Sequence, residues 1–253
     1  MFRALVCFIT LATLLIGSSF AQQKAPWPNW KKSEVEKLLN ESPWGQTQTD
    51  TDTSEMTYSP TAIGRSAIGA PTSPTGSTRT QAQINSNRAD RGATNQPISV
   101  NYHIRFLSAK PIRQAVARLL ELQEKEKGNV VEQMRPFVER DFNQFIVVAV
   151  TFDSTDSRFS GPALQAFASS TAGTLKNNAY LERGDGRRLF IMDYKPPIND
   201  GLGAKFIFPR IVSERPFLSK DDTVRFFVQL TDSIKLTMNF KLSDMNYEGR
   251  LEY

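Results

Sequence analysis

His103 is the only imidazole in the chain, so a general acid or base working near neutral pH would have to recruit it. It sits in Ile98-Ser-Val-Asn-Tyr-His-Ile-Arg-Phe106, where alternation puts Ser99, Asn101, His103 and Arg105 on the more polar face of a half-buried strand. A Ser-His-Asp triad would have to be built around this residue. No Gly-x-Ser-x-Gly turn is present to offer a nucleophile. The residues therefore favour a surface or cross-strand histidine over a catalytic one.

The run Asp153-Ser-Thr-Asp-Ser157 follows an apolar segment directly. Its Asp153, Thr155 and Ser157 resemble the metal-ion-dependent adhesion motif of von Willebrand type A domains, which implies a carboxylate and two hydroxyls around a divalent cation such as Mg²⁺. That motif has Ser where Thr155 stands and belongs to a parallel doubly wound sheet. The competing and favoured reading is a solvated turn after a strand. Arg183-Gly184-Asp185 matches the integrin tripeptide, yet Gly184-Asp185-Gly186 is also what a tight hairpin demands. Glu121, Glu124, Glu126 and Glu132 alternate with Lys125 and Lys127 at helical spacing and read as a solvated face rather than as paired catalytic carboxylates.

Composition narrows the field further. With 40% hydrophobic and 23% charged residues over 253 positions, the chain is neither collagen-like, nor a coiled coil, nor disordered throughout. One cysteine and one histidine exclude a Cys/His zinc site, a disulfide framework and a Cys-His nucleophile pair. Met1-Phe-Arg3, an apolar run from Ala4 to Ile16, and small residues up to Ala21 read as a secretory signal peptide over 1–21. The run is shorter than the ~20 residues of a spanning helix. Cys7 lies inside it and not at its cleavage site, so lipidation is not expected. Cleavage before Gln22 would leave a cysteine-free mature chain, exported to the periplasm or beyond, with no transmembrane segment. Without Arg3, 30 basic residues face 26 acidic ones. The basic residues are scattered, so nucleic-acid binding is not expected.

The elements that must position these residues are legible in outline. In 22–45, Trp27, Trp30 and Trp44 bracket a short helix, with Ser33 and Glu36 at capping-box spacing and Val35, Leu38 and Leu39 on one face. Docking onto the main domain is the expected role of this bracket, a Trp-rich ligand platform the alternative. Residues 46–97 are mostly Ser, Thr, Pro, Gly, Asn, Gln and Ala, and read as a disordered linker. Within it, 47–53 alternates enough for a strand paired to an edge of the main sheet. Residues 98–253 read as one α+β domain. After the strand at 98–106 come a helix from Pro111 to about Lys127, a second from Val130 to Phe142 that Pro136 should kink or divide, and a strand at 145–152 apolar on both faces. A helix from Pro162 follows, then strands at 179–183, 187–194, 205–211, 223–230, 233–242 and near 248–253. The expectation is a mainly antiparallel sheet with helices packed on one side.

Glu41-Ser-Pro-Trp-Gly45, Ile104-Arg-Phe-Leu-Ser-Ala-Lys-Pro-Ile-Arg-Gln-Ala115 and Phe240-Lys-Leu-Ser-Asp-Met-Asn-Tyr-Glu-Gly-Arg-Leu-Glu-Tyr253 together resemble a family of uncharacterised exported bacterial proteins. The resemblance implies a signal peptide, a Trp-bearing helix and one α+β domain. It assigns no function, catalytic residue or cofactor. A non-enzymatic binding or envelope-associated module, with an envelope protein or polysaccharide as partner, is the expected class. A metal-dependent adhesion domain or a hydrolase is the alternative.

Overall fold

The computed structural model describes residues 26–52, 98–123, 130–154 and 157–253. The expected signal peptide at 1–21, the expected linker over 53–97, Thr155 and the expected helix end near Lys127 lie outside the described residues, as does the Ser157 side chain. The chain is α+β, and every strand pairing described is antiparallel.

After a 3-10 turn at Trp27–Asn29, helix α1 spans Lys32–Asn40. Its start differs from the sequence expectation: Glu34, not Glu36, reaches back to accept from the Lys31 backbone N–H at 2.8 Å. Val35 and Leu39 are buried, with Trp30 and Trp44 beside them in the core. Trp44 donates Nε1–H to the Glu252 carbonyl at 2.7 Å and meets the Tyr247 ring edge-on. Burial of these two indoles serves docking and leaves them unavailable as a platform.

Two short residues of strand, β1 (Glu41–Ser42), lead into β2 (Gly45–Asp52). Gly45 is required here because a Cβ would stand 2.3 Å from the Leu39 carbonyl at the end of α1. Then follow β3 (Ile98–Phe106), α2 (Lys110–Gln123), α3 (Val130–Val138), β4 (Phe145–Ser154), α4 (Ser157–Ser169) and α5 (Ala172–Leu175). Helix α3 stops two residues after Pro136. Helix α4 begins five residues before Pro162 and carries that proline in its interior, which forgoes one backbone hydrogen bond.

The remaining strands are β5 (Ala179–Arg183), β6 (Arg188–Phe190), β7 (Asp193–Lys195), β8 (Ala204–Pro209), β9 (Ile211–Val212), β10 (Arg215–Pro216), β11 (Thr223–Gln229), β12 (Lys235–Lys241), β13 (Asn246–Tyr247) and β14 (Arg250–Leu251). They build two principal sheets where the sequence suggested one: a first of order β1-β2-β3-β4-β8-β7 and a second of order β12-β11-β5-β6. The segment 187–194, expected to be one strand, is the corner between them. Ile191 N–H still donates to Ala179 in the second sheet, while Met192 N–H donates to Ile207 in the first.

Strand parity fixes what each face meets. Phe106, Phe206 and Phe208 on one face of the first sheet pack edge-on against Phe240 and Phe226 of the second. Phe167 of α4 stacks on Phe152 on that same face at 5.4 Å. Arg105 points from the opposite face, where its Nε–H reaches Leu39 at the end of α1. Helix α4 thus meets the face that the second sheet also covers, while the end of the Trp-bracketed α1 meets the other.

The free edge of β12 is closed by side chains. Gln46 and Gln48 of β2 donate to the Asn239 and Lys235 carbonyls, and Gln48 accepts from the Thr237 N–H. An open edge strand would otherwise template pairing with another chain. Residues 26–52 therefore pack with 98–253, sharing the first sheet and its core. Among the described residues no helix is long and apolar enough to cross a membrane.

Candidate functional site

The register of the first sheet sets Thr47 opposite His103 and His103 opposite Thr151, and in the next row Thr49, Asn101 and Asp153. All six share the face opposite Phe152. Two of the residues singled out from sequence, His103 and Asp153, come together here: His103 Nε2 lies 2.6 Å from Asp153 Oδ2. Nδ1 of the same ring lies 2.9 Å from the Thr47 hydroxyl. The second carboxylate oxygen accepts from Asn101 Nδ2 at 3.0 Å, and the Asn101 carbonyl accepts from the Thr49 hydroxyl at 2.8 Å.

Burial pushes the Asp153 carboxyl up, but the hydrogen bonds from His103 and Asn101 and the nearby His103 and Arg105 charges outweigh it and hold the group below the usual carboxylate range. An ionised carboxylate can only accept, so Nε2 is the protonated nitrogen and, in the neutral ring, Nδ1 accepts from Thr47. Arg105 is pushed down to about 10 by burial, partly offset by Asp153, and stays a cation at neutral pH. It donates to Thr151 Oγ1 and Asn40 Oδ1.

Hydroxyl, imidazole and carboxylate in line are the parts of a hydrolytic triad, but their exposure runs the wrong way. In a triad the carboxylate is buried and the nucleophile meets substrate. Here the Asp153 side chain is 61% exposed and His103 16%. The arrangement holds a carboxylate out to solvent. For the adhesion-type reading, both Asp153 oxygens already face N–H donors, and β4 is antiparallel to both its neighbours, unlike the sheet that motif requires. Among the described residues no three His, Cys, Asp or Glu side chains gather as a metal site.

The other sequence candidates separate from this site. Arg183-Gly184-Asp185 enters the β5–β6 turn, with Arg183 paired to Asp222 at 3.0 Å. Glu121 and Glu132 form surface pairs with Arg118 and Arg135. Sequence parity already placed Asn101 beside His103, whereas Thr47 and Thr49 carried no signal of their own. No family model, curated protein or solved structure matches the chain.

Lowering of the Asp153 pKa in the fold means that its contribution is present above the unfolded carboxylate value of ~3.9 and drains as pH falls through the folded one. Asp153→Asn is expected to reduce stability at neutral pH by no more than about 1 kcal/mol, given the exposure of the group. The gap from the parent should narrow once the pH is taken below the unfolded carboxylate value of ~3.9. Urea unfolding at both pH values checks this, and an equal gap at both would remove ionic pairing as the cause.

Proposed function

We propose that this protein is an exported, non-enzymatic module that binds a polyhydroxylated envelope polymer along the polar face of β2, β3 and β4. The export part rests on the signal-like sequence of residues 1–21. The observation that carries the binding part is the double anchoring of Asp153. One donor chain runs from Thr49 through Asn101, the other from Thr47 through His103, and both end on this one carboxylate.

Two ionised oxygens offer about four acceptor positions, of which the anchors take two. The remaining lone pairs face solvent, fixed in direction before any ligand arrives, and suit the paired O–H donors of a vicinal diol. Thr49 and Thr51 stand exposed on β2, two strand steps of about 4.8 Å each from β4, as further hydroxyl partners. Pre-organisation of this kind reduces the ordering cost of binding.

The test is co-sedimentation of the protein with insoluble cell-wall polysaccharide. The parent should pellet with the polymer, and Asp153→Ala combined with Asn101→Ala should reduce retention by about tenfold, the equivalent of one good charge-assisted hydrogen bond. Equal retention of parent and variant would refute the assignment of this face. Release of soluble fragments by the parent, abolished in His103→Ala, would replace it with the hydrolase reading.

A further inference from the structure

A cavity of about 460 Å³ opens at the end of the second sheet, where the β5–β6 turn meets the start of β11 and the end of β12. Its wall includes Arg183, Arg225, Lys241 and Asn239, with Glu182 as the one acidic residue. From the geometry of this wall we infer that the cavity is an oxyanion-binding site, taking the phosphate or carboxylate group of a small ligand. It is separate from the His103–Asp153 face and does not depend on that reading.

Three observations carry the inference. First, Glu182 offsets no more than one cation of the wall, because it shares its charge between Arg225 and Arg188, and Arg188 lies outside the wall. The hydrogen bond from Arg188, with the Arg225 and Arg188 charges behind it, pulls its pKa down against desolvation, so the carboxylate stays ionised and occupied. Second, the Nε–H groups of Arg183 and Arg225 are buried and have no hydrogen-bond partner. A buried donor left unmatched is costly, and more so on a charged group. Two at one wall mark a place short of acceptors. Third, Lys241 is 65% exposed at the cavity and its nearest acid, Asp244, stands 3.6 Å away, at the loose end of ion pairing.

Arg183 is engaged by Asp185 and Asp222, so the charged donors the wall has to offer are those of Arg225 and Lys241, with no unoccupied carboxylate among its residues. A planar fork from Arg225 with a point charge from Lys241 is a donor set that matches tetrahedral or carboxylate oxygens. Asn239, directly across the ladder from Arg225, can add a neutral donor.

Inorganic phosphate and acetate, each titrated into the full chain at low ionic strength and followed by amide shifts and by thermal melting, test the site. Saturable binding of at least one of them is expected, with shifts centred on Gly184, Arg225 and Lys241. A preference for phosphate would point to a phosphate ester as ligand, and a preference for acetate to a carboxylic acid. Lys241→Gln, at an exposed position that cannot compromise folding, and Arg225→Gln should each weaken binding by about tenfold. Arg188→Gln, which leaves one oxygen of the wall residue Glu182 without its partner, should weaken binding as well. Absence of saturable binding for both ions, or binding that survives both Lys241→Gln and Arg225→Gln, would overturn the inference.

Discussion

Replacing Val148 by Asp is expected to abolish cooperative folding. Val148 is fully buried in β4, with Phe106 of β3 and Phe206 of β8 as its register partners on either side. Both neighbours are themselves fully buried and pack on Phe240 and Phe226 of the second sheet. A carboxylate at this position would be enclosed by apolar side chains, without a cation to pair with. An uncompensated buried charge costs roughly 3–5 kcal/mol, to which the lost packing of the valine methyls adds. Domains of this size are held by only about 5–15 kcal/mol in total. Far-ultraviolet dichroism with urea unfolding should show no native baseline for Val148→Asp, while Val148→Ala should unfold cooperatively at lower urea. A parent-like transition for the aspartate variant would mean that β4 is not the centre of the core.

Loss of residues 1–97 is expected to be almost as damaging. A chain beginning at Ile98 would leave β3 without β2, an eight-position ladder from Gly45–Arg105 to Asp52–Ile98. It would also lose Trp30, Val35, Leu39 and Trp44 from the core and uncover the backbone edge of β12 that Gln46 and Gln48 close. Fully burying even one large apolar side chain is worth about 1.5–3 kcal/mol, so four together approach the whole stability of a domain. The shortened chain should aggregate or melt without cooperativity, and a synthetic peptide of residues 26–52 should restore a cooperative transition. Conversely, a single protease cut placed between 53 and 97 should leave two pieces that co-elute, because the ladder and not the connecting chain holds them. Independent cooperative melting of the shortened chain would place the domain boundary at Ile98.

Both expectations bear on how far the chain could be read before its structure was known. The alternation at 98–106 and the apolar run at 145–152 gave strands, faces and burial correctly, because the two-residue period of a strand is written in consecutive positions. Gly184-Asp185-Gly186 marked a hairpin for the same reason, since only local backbone demands were involved. The division into two sheets was not legible. Ile191 and Met192 differ only in which distant carbonyl each N–H meets, and nothing in their own identities signals a corner. The alternation at 47–53 marked a strand, but nothing in Gln46-Thr-Gln-Thr-Asp50, polar throughout, announced that both sets of side chains would be employed, glutamines toward β12 and threonines toward β3.

The candidate site divides in the same way. His103 stood out as the sole imidazole and Asp153 as the acid ending a buried strand, so both were selected by residue type alone. Their meeting at 2.6 Å, with Thr47 on the other ring nitrogen, was decided by inter-strand register. Register is not a local property. Thr47 and His103 are 56 residues apart, and His103 and Asp153 are 50 apart. Each strand can slide against its neighbour by two residues without changing which face it buries. What selects one alignment is the simultaneous packing of Phe106, Phe206, Phe226 and Phe240 between the sheets, together with the approach of Leu39 to Gly45 at the end of α1. The sequence by itself determined which residues could face solvent with chemistry to offer. Only the tertiary structure decided which of them touch, because contacts between strands far apart in the chain form when the shared core leaves water as one unit.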